Sequence, residues 1–550
     1  VSGRLRALAA VLGLAALAAA PAQSPAPAPA ADAVPVIDPA ALGAHMRFLS
    51  DDLLQGRATG SDGYLIAARY VAAQFEALGL QPAGTDGYMQ DVPMRSAEVD
   101  EDKSWVRLSV PGLGPSELRH TDQVLVTPSF ARGQDEVGAP VVFAGYGIVA
   151  PDLQHDDYEG IDVRGKVVAM LFGAPRPFPS LLRAHYGNQR LKAETAAARG
   201  AVGLLVMSTP QTAQTPWSSY VQHGRTPYMR WMHGDQVDGE FPQLRGRAFL
   251  SMNVGDRILT GAGRTPAQVY EKAAAGERDS FATGSRVVVR TVSRHRAVRS
   301  PNVAARLPGS DPQLRAETLV YSAHLDHLGT GAPVDGDRVF NGAVDNASGV
   351  AALIEIARAF AARPQAPRRS VLFLAVTGEE VGLLGSDYFA HHPTVPRESI
   401  VANINMDGLG LLLGSADVVG IGAESSTLQE ALERAAAQLG MPVSPDPVAD
   451  QLLFIRSDQY SFVRQGIPAV FVNFGFTPVQ PGQDMAEAFR HWLGTVYHTP
   501  RDDMAQRPLD LAAGARLARL NLLLGMVVAG QQERPRWRPG DFFGRTYGKS

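Results

Sequence analysis

The sequence predicts an α/β fold, a mostly parallel central sheet flanked by helices, with a β-rich domain inserted into it. From about residue 295 onward, short continuous apolar runs alternate with amphipathic helical runs, the pattern of parallel strands buried on both faces. Between about 120 and 290 the texture changes to β-rich runs broken by Gly, Pro and Asp, with no cluster of catalytic residue types. At 550 residues the chain has room for several units of about 150 residues.

The elements follow in order. Arg4 and Arg6 precede an apolar run from Ala7 to Ala20 and then Ala20-Pro21-Ala22, which reads as a signal peptide over 1–22 cleaved after Ala22. The run is shorter than the roughly 20 apolar residues that span a bilayer, so export to the periplasm or beyond is expected, with no stable membrane anchor. Residues 23–38 form an Ala/Pro-rich, extended linker. The main domain begins over 39–120, with helical spacing at 39–54 (Leu42, Met46, Leu49, Leu53) and 62–79 (Leu65, Tyr70, Phe75, Leu78). Gly79 sits at a C-cap position. The insert occupies 121–290, with strand-like Val141–Ala144 and Val167–Phe172, helical Leu191–Arg199 and strand-like Val202–Val206. The main domain resumes over 291–535. There strands at Leu319–Ala323, Val371–Val376, Ile400–Met406 and Ala469–Asn473 alternate with helices at Gly349–Ala362, Gly382–Ala390 and 427–439. Residues 536–550 form a tail, and no later segment reads as a membrane span.

Composition narrows the chemistry. Lys and Arg total 51 against 55 Asp and Glu, so the surplus of cations that a nucleic-acid binder needs is missing. There is no cysteine, which removes disulfides, thiolate metal sites and cysteine nucleophiles. Any metal must be held by His, Asp and Glu.

Those residue types gather at strand ends, where parallel α/β sheets bind ligands. One strand runs into His324-Leu325-Asp326, and the next into Thr377-Gly378-Glu379-Glu380. A third ends Asn405-Met406-Asp407, Asp345 precedes a helix, and His498 lies in Tyr497-His498-Thr499. Singly, each has an ordinary reading: Asp345 as a helix cap, the glutamate pair as a solvated helix start, His498 as a surface histidine. Jointly they ask for a cation. Three carboxylates (Asp345, Glu380, Asp407) and a bound hydroxide balance two divalent ions, which a shared Asp345 bridges at about 3.5–4 Å. Nitrogen and carboxylate ligands suit zinc, with cobalt and manganese as substitutes. Asp326, two residues beyond His324, projects to the same side in extended chain and is placed to receive the other imidazole N–H. Glu379 points away from its ligand neighbour, free to take a proton from water.

These residues resemble the double-zinc exopeptidases of peptidase family M28, which includes bacterial leucyl aminopeptidases and aminopeptidase Y. The matching segments are His324-Leu325-Asp326-His327, Asp345-Asn346-Ala347-Ser348-Gly349, Gly378-Glu379-Glu380, Asn405-Met406-Asp407 and Tyr497-His498-Thr499, with Ser457-Asp458-Gln459-Tyr460 and Gly466-Ile467-Pro468. The resemblance implies one zinc on His324 and Asp407, another on Glu380 and His498, and Asp345 between them. It further implies Glu379 as general base, Tyr497 as donor to the tetrahedral oxyanion, and a zinc exopeptidase fold. The insert is similar to a protease-associated domain through Gly165-Lys166-Val167-Val168 and Lys192 to Ala201-Val202-Gly203. His498 is preferred over His491 for its Tyr-His-Thr context, and His327 has no derived role.

The function this implies is removal of N-terminal residues from peptides with a free N-terminus, whose ammonium suits a carboxylate-rich site. A carboxypeptidase or dipeptidase would need arginines for a terminal carboxylate, and Arg456 and Arg464 keep that alternative in view. A glutaminyl cyclase-like transferase works with one zinc, against the full ligand set here. A receptor-like binding protein would have lost ligands, and none is lost.

Overall fold

The computed structural model describes residues 36–548 apart from 412, 413 and 507. The expected signal peptide, and residues 23–35 of the expected linker, lie outside the described residues. Asp38 accepts a hydrogen bond from the Ala40 N–H, and Pro39 presets the first turn of α1 (Pro39–Leu49). Ser61 caps α2 (Asp62–Ala77) through the Tyr64 N–H, and Gly79 follows with φ 71°, the left-handed residue expected at the helix end. The first helix stops at Leu49, short of the expected residue 54, because the chain turns sharply after Asp51.

The main sheet is built from β1 (Met89–Val99), β2 (Phe281–Leu307), β3 (Thr318–His324), β4 (Ser370–Val376), β5 (Ile400–Asn405), β6 (Val418–Ile421) and β7 (Ala469–Phe474). Its helices are α3 (Ser348–Ala361), α4 (Leu384–His391), α5 (Leu428–Ala437), α6 (Met485–Thr495) and α7 (Leu511–Gly530). Across the sheet the order is Tyr228–His233, β1, β2, β4, β3, β5, β7, β6. The strands β4, β3, β5 and β7 are parallel, as the continuous apolar runs predicted, and every residue of β3, β4 and β5 is buried. Antiparallel strands extend this centre at both edges, so the sheet is mixed. Strand β1, second from the edge formed by Tyr228–His233, shows the alternating burial of a strand covered on one face.

Helix α7 was not singled out in the sequence, although it is long and apolar enough to cross a membrane by composition. Its apolar side chains are packed instead inside the protein, with Leu517, Leu520, Leu522 and Leu524 fully buried. The Tyr321 hydroxyl of β3 donates to the Asn521 carbonyl, and a Cβ on Gly525 would lie 1.6 Å from that phenol oxygen. Gly525→Ala is therefore expected to cost about 3 kcal/mol, the upper end of ordinary overpacking. Urea unfolding with an unchanged midpoint would show that α7 can slide aside.

A second sheet takes the intervening residues. Its order is 114–119, 105–110, the first half of β2, 134–143, 167–171, 203–207, 246–250, 124–126. It reaches back to Trp105, upstream of the expected start at 121, because Trp105–Ser109 pairs with Arg286–Arg290. The 27-residue β2 serves both sheets, residues 281–292 in one and 293–307 in the other.

Candidate active site

Because β3, β4 and β5 run parallel, their C-terminal ends open on one side and bring His324, Glu379-Glu380 and Asp407 together. Asp345 enters from the loop before α3, and His498 from the turn after α6. Asp345 does not cap α3; Asn346 Oδ1 accepts the Gly349 N–H instead. The Asp345–Asn346 peptide is cis.

The five predicted ligands converge in two triads. His324 Nε2 lies 3.2 Å from both Asp345 Oδ1 and Asp407 Oδ1. His498 Nε2 lies 3.2 Å from both Asp345 Oδ2 and Glu380 Oε2. An imidazole nitrogen carries at most one hydrogen, so it cannot donate well to two carboxylates at once. Indeed His498 Nε2 is buried without a hydrogen-bond partner of acceptable geometry. Ligands at about 2.1 Å from a tetrahedral cation stand about 3.4 Å apart. The spacing in each triad fits a metal ion seated between its members.

The charges fit as well. Asp326, Asp345, Glu379, Glu380, Asp407, Asp458 and Asp502 are crowded here, and the ion pairs of the described residues give them only histidine partners. Burial alone would lower the pKa of His324, but Glu379 and Asp407 outweigh it and hold it well above the usual value. Burial also opposes protonation of His498, yet Glu380 and Asp345 raise its pKa to about 10. Asp345 is held well below the carboxylate range against its burial by His324 and His498, and Glu380 is drawn down to about 2, chiefly by His498. Protons on the imidazoles thus substitute for cations. Glu379 moves the other way: burial, with Asp407 and Glu380 adding to it, raises its pKa well above the ordinary value.

Around the ligands, side chains fix the loops. His324 Nδ1–H donates to the Asp326 backbone carbonyl at 3.1 Å, not to the Asp326 carboxylate as the extended spacing suggested. The strand ends at His324, so the parity of extended chain no longer holds two residues on. The Asp326 carboxylate turns instead to the β4 loop, accepting the N–H groups of Glu379 (3.1 Å) and Glu380 (3.3 Å). His327 donates from Nδ1 to Glu380 Oε1 at 2.6 Å, fixing the oxygen that does not face His498. Asp502 accepts from the Val344 and Asp345 N–H groups and joins the His498 turn to the Asp345 loop. Asn346 joins that loop to the Asp407 loop, donating to the Met406 carbonyl and accepting from Gly408 N–H. His327, Asp502 and Asn346 were assigned no role from sequence, although each lies within a few residues of a ligand.

Beside the triads opens a cavity. Asp345, Glu379, Asp407, Arg456 and Tyr497 form its polar wall, and Leu409, Leu453, Phe471, Phe489, Trp492 and Leu493 its apolar one. Tyr497 stacks on His498 at 3.7 Å between ring centroids, and its hydroxyl accepts from Arg456 Nη2 at 3.3 Å. Arg464 lies elsewhere, 3.6 Å from Asp387.

Residues 302–524 match the model of peptidase family M28. Leupeptin-inactivating enzyme 1 of Streptomyces exfoliatus is 28% identical over 332 residues, 58% of this chain and 66% of that protein. A vacuolar membrane protease of Yarrowia lipolytica is 23% identical over 242 residues, 43% of this chain and 19% of the relative. The chain thus spans less than two thirds of the length of either curated relative. Among solved structures, an aminopeptidase from Aneurinibacillus sp. strain AM-1 aligns with a TM-score of 0.53 at 18% identity, covering 92% of this chain and 97% of that one. That likeness shows a shared fold, and the segment that matches the model of peptidase family M28 spans every ligand loop.

Proposed function

We propose that this chain is an exported aminopeptidase that works with two zinc ions. The observation that supports this best is the pair of triads sharing Asp345 beside an apolar cavity. His324 and Asp407 would hold one ion, Glu380 and His498 the other, and Asp345 both. Bound zinc would supply Lewis acidity toward the scissile carbonyl and make water a nucleophile near neutral pH. Glu379 faces the same cavity, and the burial that raises its proton affinity suits it to receive the proton water gives up. The carboxylates around the cavity favour a substrate ammonium, and the aromatic and leucine wall favours a large apolar first side chain. Matched peptides with free and acetylated N-termini test the reading. Cleavage of the free forms alone is expected, and equal cleavage of both rejects an aminopeptidase.

One observation favours a second reading, a dipeptidase or carboxypeptidase: Arg456 is the cation on the cavity wall. A requirement for a free C-terminal carboxylate, lost on amidation, would select it. The insert we read as a protease-associated domain, supported by its parallel strands at 167–171 and 203–207 flanking helix Gln189–Ala198.

Tyr497→Phe is expected to lower kcat at least about tenfold with little change in KM or Tm. A donor to a developing oxyanion is typically worth about 2.7–4 kcal/mol, part of which the metal can replace. An unchanged kcat would leave Tyr497 as packing for His498.

Zinc affinity is expected to rise with pH. In the metal-free protein His498 titrates at about 10, and His324 is also held well above its usual pKa, so near pH 7 both imidazoles carry a proton that the metal must displace. Affinity therefore falls as pH falls. Zinc titrations in two buffers of different ionisation enthalpy should reveal proton release. None at pH 7 would mean that the imidazoles are neutral.

A further inference from the structure

The segment between α1 and α2 touches more of the site than any sequence motif indicated. Arg57 is 1% exposed, and among the described residues its guanidinium hydrogen-bonds to carbonyls, with the carboxylates of Asp326, Asp345, Asp502 and Glu380 acting on it only through space. Nε donates to the Leu325 carbonyl at 3.0 Å, Nη1 to the carbonyls of Asn341 at 2.7 Å and of Leu49, and Nη2 to the Gly342 carbonyl at 3.1 Å. Leu325 lies between His324 and Asp326, and Asn341-Gly342 opens the loop that presents Asp345. A single planar group therefore joins two ligand loops. The Arg57 carbonyl accepts the His327 N–H at 3.2 Å. Two residues on, the Thr59 hydroxyl donates to Asp326 Oδ2 at 3.0 Å, the carboxylate that also holds the Glu379 and Glu380 N–H groups.

The backbone is shaped for this task. Gln55, Gly56 and Arg57 are all left-handed, with φ of 49°, 67° and 49°. A Cβ on Gly56 would stand 2.3 Å from the Gly329 carbonyl oxygen and 2.5 Å from that of Phe340. A run of left-handed residues that includes two bulky side chains is costly and persists only where its surroundings enforce it. A buried guanidinium satisfied by carbonyls alone is likewise costly by desolvation.

We propose that Arg57 and Thr59 are positioning residues that set the spacing of the metal-ligating loops, Arg57 between the His324 and Asp345 loops and Thr59, through Asp326, at the Glu379-Glu380 loop. The inference rests on the two-zinc reading above. Because Asp345 belongs to both triads, loosening Arg57 affects both ions; loosening Thr59 affects the ion of Glu380 and His498. Lysine cannot replace Arg57, since an ammonium lacks the fork that reaches carbonyls in separate loops.

The test is competition for zinc between the full-length protein and a chromophoric chelator, with Tm and near-UV circular dichroism recorded in parallel. Wild-type protein is expected to bind two ions. Arg57→Lys should bind both about 10–100-fold more weakly, the scale for groups that orient ligands. Thr59→Val should weaken one ion by about tenfold and leave the other, while Thr59→Ser, which restores the hydroxyl, binds as wild type. Wild-type protein that binds fewer than two ions overturns the two-zinc reading, and with it this inference. Wild type with two ions, beside folded variants that keep its zinc affinity and lose only Tm, overturns the inference alone. Should Arg57→Lys fail to fold, Thr59→Val against Thr59→Ser decides.

Discussion

Glu379→Gln is expected to lower kcat by at least about a hundredfold while the protein keeps its fold and its zinc. Proton transfer by a positioned side chain is typically worth about 10²–10⁴-fold, and the amide can neither accept nor carry that proton. Geometry separates Glu379 from the ligand beside it. Glu380 offers one oxygen to the His498 triad and the other to His327, whereas Glu379 faces the cavity near His324 and Asp407. The Glu379 N–H remains bonded to Asp326 in the variant, because only the side chain changes. Elemental analysis checks the assignment. If zinc falls in step with kcat, Glu379 is a ligand and its role exchanges with that of Glu380. The wild-type rate should also decline on the acid side as Glu379 is protonated, and that limb should vanish from the residual activity of the variant.

Asp345→Ala is expected to release both ions. Its Oδ1 faces His324 and its Oδ2 faces His498, so no other single side chain serves both triads. Removing it leaves each triad a nitrogen and one carboxylate, too few ligands to hold an ion tightly. Loss of affinity should exceed the about 10–100-fold typical of groups that merely orient ligands. Dialysed protein should hold well under one zinc and show no measurable turnover. The fully buried β3, β4 and β5 keep the sheet together without metal, so Tm should shift by far less than in a zinc finger. Retention of one tightly held ion would show that the triads are independent and that Asp345 does not bridge.

The parallel centre of the sheet was legible because burial on both faces leaves an unmistakable signature, a run of apolar residues such as Val371–Val376. Its antiparallel edges were not, since β1 mixes Gln90, Asp91 and Arg95 with apolar residues and alternates only in three dimensions. Among site residues, those whose chemistry is intrinsic stood out: imidazoles and carboxylates at strand ends. Asp326 was placed at the right loop, but with the wrong partner, because side-chain parity ends with the strand. Arg57 gave no signal, since it binds backbone carbonyls that no sequence pattern marks, at separations of 268 and 284 residues. Helix α7 resembles a membrane span in composition, and only its neighbours show that protein, not lipid, covers it.

The long strand β2 has a mechanical consequence. Domains joined by a linker can swivel about it, but here the join is a single strand whose residues keep paired neighbours from Arg286 to Leu307, beyond one bulge near its start. Any displacement of the second sheet against the first must be taken up as twist or bend of this shared spine, with small amplitude and a restoring force. Melting either sheet strips β2 of partners on which the other depends, so heat should find one cooperative transition in the calorimeter where a linked pair would show two.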